Sequence, residues 1–203
     1  MGGLATGSPS PPLARRGPGD PGRASTFAWV FLWVLLLCGF VAVAAFETSP
    51  LLAHFGTRLG AQGTDAVHHL WILAWDVHAL ATQPGHLFDG NLAYPLERSL
   101  AFTDHFLGAL PIFAPVYALT GNAVAGYNAV VLLSGALGAF GAAALAWWWT
   151  RRWGPAIVAG MLFGWAPLRL GQSGHLQLLT FFWAPLALLC LDRFLRARRW
   201  RDL

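Results

Sequence analysis

Between Gly63 and Leu80 the chain reads GTDAVHHLWILAWDVHAL, placing two aspartates and three histidines in one short, otherwise apolar stretch. Carboxylates and imidazoles take up and return protons near neutral pH, so this is the first place to look for acid–base chemistry. The wider segment from Glu47 to His105 holds six of the nine acids (Glu47, Asp65, Asp76, Asp89, Glu97, Asp104) and six of the seven histidines (His54, His68, His69, His78, His86, His105). It holds only two of the thirteen arginines, Arg58 and Arg98. Avoidance of lipid by polar groups would draw in arginine as well, so acid and imidazole are gathered there selectively.

On a helix turning about 100° per residue, His69, Asp76 and Gln83 fall within about 40° of Asp65. Val67, Leu70, Leu73, Ala74, Val77, Leu80 and Ala81 cover the broad apolar remainder. Gly63 and Pro84-Gly85 bound this helix, and Thr64 or Asp65 suits its N-cap. A helix of this kind is expected to lie on a membrane surface, apolar face down and carboxylates up. Asp65 then reads either as a cap or as a chemically active carboxylate. Asp76 reads first as a solvated face residue and second as a binding residue. The pair His68-His69 invites a metal reading, but adjacent side chains point about 100° apart. His69 with Asp65 or Asp76 is the better geometry, and one imidazole with carboxylates is a weak donor set. No metal or other cofactor is expected. Trp71 and Trp75 read as interfacial anchors.

The elements that must position these residues are membrane spans. The chain is 56% hydrophobic and 11% charged, with a mean hydropathy of +0.53, whereas soluble domains carry roughly 25% charged residues. The charge-free run Thr26–Phe46 is long enough to cross a bilayer core of roughly 30 Å and longer than a typical signal-peptide core. Ala42-Val43-Ala44 faintly resembles a cleavage site, and an uncleaved first span is the reading adopted. Further spans are expected at 123–149, 155–168 and 176–191. The run Phe106–Leu119, broken by Pro111 and Pro115, either crosses or stays in an outer loop. If it stays, ten of the thirteen arginines fall on the N-terminal side of the membrane, with only Arg58, Arg98 and Arg169 opposite. Cytoplasmic ends are enriched in basic residues, so four spans with both termini cytoplasmic is the expected topology. Residues 1–25, rich in Gly, Pro and Ser, are expected to be a disordered cytoplasmic tail. Residues 47–122 become a large outer loop with amphipathic juxtamembrane helices, in an all-α polytopic bundle.

Gly160 with Gly164, and Gly135 with Ala139 and Ala143, repeat at a spacing that lets helices approach closely. Cys38 and Cys190 lie in apolar runs and read as buried, inert thiols. Every basic residue is Arg, with no Lys, a composition that suggests a GC-rich bacterial genome. The net charge of +4 sits near segment ends, as topology rather than as a nucleic-acid footprint.

The order of these pieces resembles a known family. The first span is followed by GTDAVHHLWILAWDVHAL, then LFDGNLAYPLERSLAFTDHFLGALPIFAPVYALTGNAVAGYN, a small-residue span, and WAPLRLGQSGHLQLL. Over residues 26–203 this looks like the N-terminal part of bacterial polytopic glycosyltransferases of the GT-C superfamily, similar to the dolichyl-phosphate-mannose mannosyltransferase-like (family 39-like) group. The resemblance implies transfer of a sugar from a polyprenyl-phosphate donor to an acceptor at the outer face of the cytoplasmic membrane. Relatives carry a catalytic acid on a juxtamembrane helix early in the first outer loop, which activates the acceptor hydroxyl as general base or helps position it, and the resemblance implies that role for Asp65, the matching position. Asp76 and His69 are supporting residues. Asp104 and His105 match a place where relatives carry polar residues before prolines, as positioning or phosphate-contacting groups. Relatives have an Arg near the start of the next span, where this chain has Gly126-Tyr127-Asn128. They have an acid in the second outer loop, where this chain has none between Arg169 and Gln177, which argues against a metal. In that loop Arg169 is a candidate for the lipid phosphate, with a headgroup anchor as the alternative, and His175 and Gln177 for the same site. Superfamily members have more spans than four, so the chain is expected to be the front of a longer protein.

A rival class is a non-catalytic membrane protein, a transporter or a glycan-assembly subunit. Transporters place ionisable residues within spans near the midplane, and the four expected spans contain none.

Overall fold

A computed structural model of the protein describes residues 23–60, 63–171 and 174–197. The expected tail falls largely outside them, as do Arg198, Arg199 and Arg201 of the terminal arginine cluster. Among the described residues the fold is all-helical, with no strand. The helices are α1 (Arg23–Glu47), α2 (Ser49–Leu52), α3 (Thr64–Thr82), α4 (Leu110–Thr120), α5 (Ala123–Thr150), α6 (Trp153–Gly164), α7 (Pro167–Gly171), α8 (Leu176–Leu179) and α9 (Trp183–Ala197). Short 3-10 turns lie at Pro84–His86, Ser99–Phe102 and Leu107–Ala109. The chain divides into two compact units, Met1–Val34 and Leu35–Leu203. The described part of the first is the N-terminal portion of α1, apolar and exposed.

Three stretches are long and apolar enough to cross a membrane: Thr26–Glu47, Ala123–Thr150 and Leu176–Arg196. That is the pattern of a membrane protein. The stretch expected to span at 155–168 is shorter as a helix: α6 has 12 residues, about 18 Å. It stops at Gly164, because Trp165 leaves helical geometry and Pro167 opens α7 without a backbone N–H to continue the ladder. The proline-broken run 106–119 is likewise short, an 11-residue α4 with Pro111 in its first turn and Pro115 inside.

Helix α5 is the central element. Asn122 caps it, its side-chain oxygen accepting from Ala125 N at 3.1 Å, and Gly121 turns the chain from α4 at φ 65°. One buried stripe, Ala136, Ala139 and Ala143, meets Phe40 and Ala44 of α1 and Ala156 of α6. The small-residue spacing read from the sequence is used here: a Cβ on Gly160 would stand 2.7 Å from Ala139 O, and one on Gly164 would stand 2.9 Å from Gly135 O. Only glycine lets α6 come this near.

The direction of each element follows from contacts at its ends. Trp148 at the C-terminal end of α5 bonds Asp192 late in α9. Trp183 at the start of α9 donates to Gly108 O at 2.8 Å, just before α4. So α6 and α7 together carry the chain back along α5, and α9 runs down again. Both cysteines are exposed, not buried as expected, because each lies on an apolar helix face that no other helix covers.

Candidate functional site

Helix α3 has nearly the bounds expected from its breakers, but its start and its facing differ. The N-cap is Gly63, at φ 103°, with no side-chain cap bond. Asp65 is therefore not consumed as a cap. It sits in the first turn, where the positive end of the helix favours a carboxylate, and its side chain is exposed.

Further along the polar stripe, His69 and Asp76 point into the protein instead of up into water. His69 is 4% exposed and Asp76 0%, alongside buried Ala66, Ile72, Leu73 and Ala79, whereas Val67 (59%) and Leu80 (47%) are exposed. The reading of Asp76 as a solvated residue, and of α3 as lying apolar face down, is thus overturned. The face carrying His69 and Asp76 packs against α4, α5 and the loop before α4, through Phe106, Phe113, Tyr127 and Val130. Trp71 and Trp75 are not free anchors either: their rings stack at 5.8 Å, and Trp75 Nε1 donates to Leu87 O at 2.9 Å, fixing the loop after α3.

Two groupings result. At the N-terminal end of α3, Asp65 Oδ2 stands 3.8 Å from His175 Nε2, which lies between α7 and α8. His69 belongs here: burial first, and then the charge of His68, push its imidazole down, while Asp65 and Asp104 act in the opposite sense. Its ring packs edge-on against Phe106 at 4.8 Å, and Nδ1 has no hydrogen-bond partner among the described residues. Asp104 is exposed nearby. Three turns along α3, the buried Asp76 has Oδ1 3.8 Å from His105 Nδ1. That is a charge contact too long for a hydrogen bond. Both Asp76 oxygens and both His105 nitrogens are buried without hydrogen-bond partners among the described residues. Burial pushes the Asp76 carboxyl up to about 6, His105 opposing. Phe88 packs edge-on against His105 at 4.6 Å.

The neighbours His68-His69 diverge as their spacing requires. His68 Nε2 shares a hydrogen bond of 3.3 Å with Thr103 Oγ1, and its ring lies along Trp71. Among the described residues no three of His, Cys, Asp and Glu are arranged to hold a metal ion.

Arg169 and Gln177 stand apart from both groupings. Arg169 Nη2 donates to Leu179 O at 2.5 Å and Ser134 O at 3.5 Å, and its guanidinium lies over Phe163. It walls a cavity of about 260 Å³ that also holds Glu47 and Trp165. It also walls an apolar groove of about 550 Å³ formed by Leu162, Phe163, Leu178 and Phe181. Gln177 Oε1 is buried without a partner among the described residues.

Two residues at the start of α5 matter more than their types suggested. Asn128, buried, accepts from Gly60 N at 2.8 Å and donates to Phe55 O and Arg58 O at 2.7 Å. It holds the loop that leads into α3. Tyr127 is buried in the α3 core with its hydroxyl unpartnered among the described residues. The sequence signal for both was only their polarity at the mouth of an apolar helix. No known protein family, curated protein or solved structure matches this chain.

Proposed function

We propose that this chain forms part or all of a membrane glycosyltransferase that moves a sugar from a polyprenyl-phosphate donor to an acceptor hydroxyl. The observation that carries the reading is the apposition of an exposed, uncapped carboxylate, Asp65, with His175 from the second loop region, at one end of an apolar bundle. The acceptor oxygen attacks the anomeric carbon while Asp65 takes its proton. The bond from that carbon to the phosphate oxygen breaks, and polyprenyl phosphate leaves with the electron pair. Asp104 and His175 are exposed at the same end, with His69 buried behind them, and suit binding of the sugar and acceptor. The apolar groove walled by Arg169 suits the prenyl chain of the donor.

In this reading α1, α5, the α6–α7 pair and α8–α9 are four crossings. The Asp65 end faces outside, and the end bearing Arg151, Arg152, Arg193 and Arg196 faces the cytoplasm, as basic residues do. Membranes containing the full chain, supplied with a panel of polyprenyl-phosphate sugars, test it directly. Chain-dependent release of polyprenyl phosphate from one donor is the expected result. No release from any donor while the chain is present and folded counts against transfer.

A further inference from the structure

Helix α5 is about 42 Å long, and its C-terminal end, remote from Asp65, is built from residues that sugar transfer leaves unused. Trp147, Trp148 and Trp149 close the helix, and Arg151 follows in left-handed backbone conformation at φ 55°. Glycine is favoured at that position because a Cβ is crowded there. The chain instead spends it on a guanidinium, whose carbon lies 4.7 Å from the Trp148 ring centroid and 4.8 Å from that of Trp147.

Helix α9 supplies the opposite wall. Arg193 approaches the same Trp148 ring at 5.6 Å. Trp148 Nε1 donates to Asp192 Oδ2 at 2.6 Å, and Arg196 Nε donates to that oxygen at 2.8 Å. One indole and one carboxylate therefore hold three guanidiniums in place across two helices. An open cavity of about 520 Å³ lies among them, walled by Trp148, Trp149, Arg151, Asp192 and Arg196. Three arginines against one acid leave its surroundings cationic.

Membrane orientation by basic residues requires charge near a helix end and nothing more. It does not require an arginine in a crowded backbone position laid across two indoles, nor a second helix tied to the same ring. Guanidinium forks match phosphate oxygens two at a time and shed water more readily than ammonium. Basic pockets between helix ends at a membrane surface hold acidic lipid headgroups. Apolar surface continues from the cavity: Leu188, one turn before Asp192 on the same row of α9, is exposed, as are Leu195 and Trp149. A free anion has no use for that surface, and a pair of acyl chains does.

We infer that this cleft is a binding site for the headgroup of an anionic phospholipid, with Arg151 and Arg196 on the phosphate and the acyl chains along α9. The site does not depend on the transfer reading, since it lies at the other end of the bundle.

The test uses the full chain purified in mild detergent, titrated at fixed ionic strength with dioctanoyl phosphatidylglycerol, dioctanoyl phosphatidylcholine and inorganic phosphate. Binding is read by native mass spectrometry and by the thermal midpoint. Phosphatidylglycerol is expected to bind saturably and at least about tenfold more tightly than either control, the scale of one lost charge-assisted bond. Arg196→Gln, whose side chain is largely exposed and tolerates change, is expected to lose about tenfold, and Arg151→Gln with Arg196→Gln more. Arg152→Gln removes the same charge outside the cavity wall and is expected to bind as the wild type does. Equal binding of phosphatidylcholine, equal loss in Arg152→Gln and Arg196→Gln, or inorganic phosphate matching phosphatidylglycerol would each overturn the assignment.

Discussion

Asp65 and His175 belong to different loop regions of the sequence, yet their side chains stand 3.8 Å apart. Both are exposed, so the contact is screened by water and worth about 0.2–1 kcal/mol. It orients the carboxylate more than it stabilises the fold. His175→Ala is expected to leave the thermal midpoint unchanged and to slow transfer by no more than about fivefold, the rate equivalent of such a pair. Loss of transfer as deep as that from removing Asp65 would make His175 itself the base.

Asp76 carries a pH prediction. Its folded carboxyl titrates at about 6, above the ordinary 3.8, because burial disfavours the charged form. A group with a raised folded value contributes stability that is full below about pH 3.8 and lost as the pH rises through about 6. Thermal midpoints of the wild type should therefore fall relative to Asp76→Asn between pH 4 and pH 7, by the equivalent of about 2–3 kcal/mol. Parallel midpoint curves for the two proteins would place the carboxylate in water.

Asn128 makes three hydrogen bonds to the loop at 55–60, from a wholly buried position. Asn128→Ala leaves buried partners unmet, at about 1–3 kcal/mol for each group that water cannot reach. The expected result is a lower thermal midpoint together with faster proteolysis between Phe55 and Gly60. A midpoint drop with no change at that loop would locate the damage elsewhere.

How much of this was legible differs from residue to residue. Gly63 and Pro84-Gly85 marked α3 nearly to its ends, and the Gly160/Gly164 spacing marked the close crossing of α5 and α6. The facing of α3 was misread for a physical reason. Periodicity shows that two faces differ, but it does not show which one protein covers. In water the apolar face turns inward. Beside lipid, Val67 and Leu80 can stay outside while His69 and Asp76 turn in. The Asp76–His105 pairing was not legible at all, because the path of residues 83–106 is set by distant bonds such as Trp75 to Leu87 O and Ser99 to Gly90 O. The length of α6 was hidden by composition, since Trp165 and Pro167 end it within a continuous apolar run.

The central claim is that Asp65 removes the acceptor's proton. The most direct measurement compares initial rates of transfer for wild type, Asp65→Asn and Asp65→Glu in membranes with matched amounts of folded protein. Asp65→Asn keeps the shape and loses the base, and a lost general base costs about 10²–10⁴-fold. The account predicts a fall of that size with an unchanged thermal midpoint, and partial recovery in Asp65→Glu. Transfer by Asp65→Asn at the wild-type rate would contradict it.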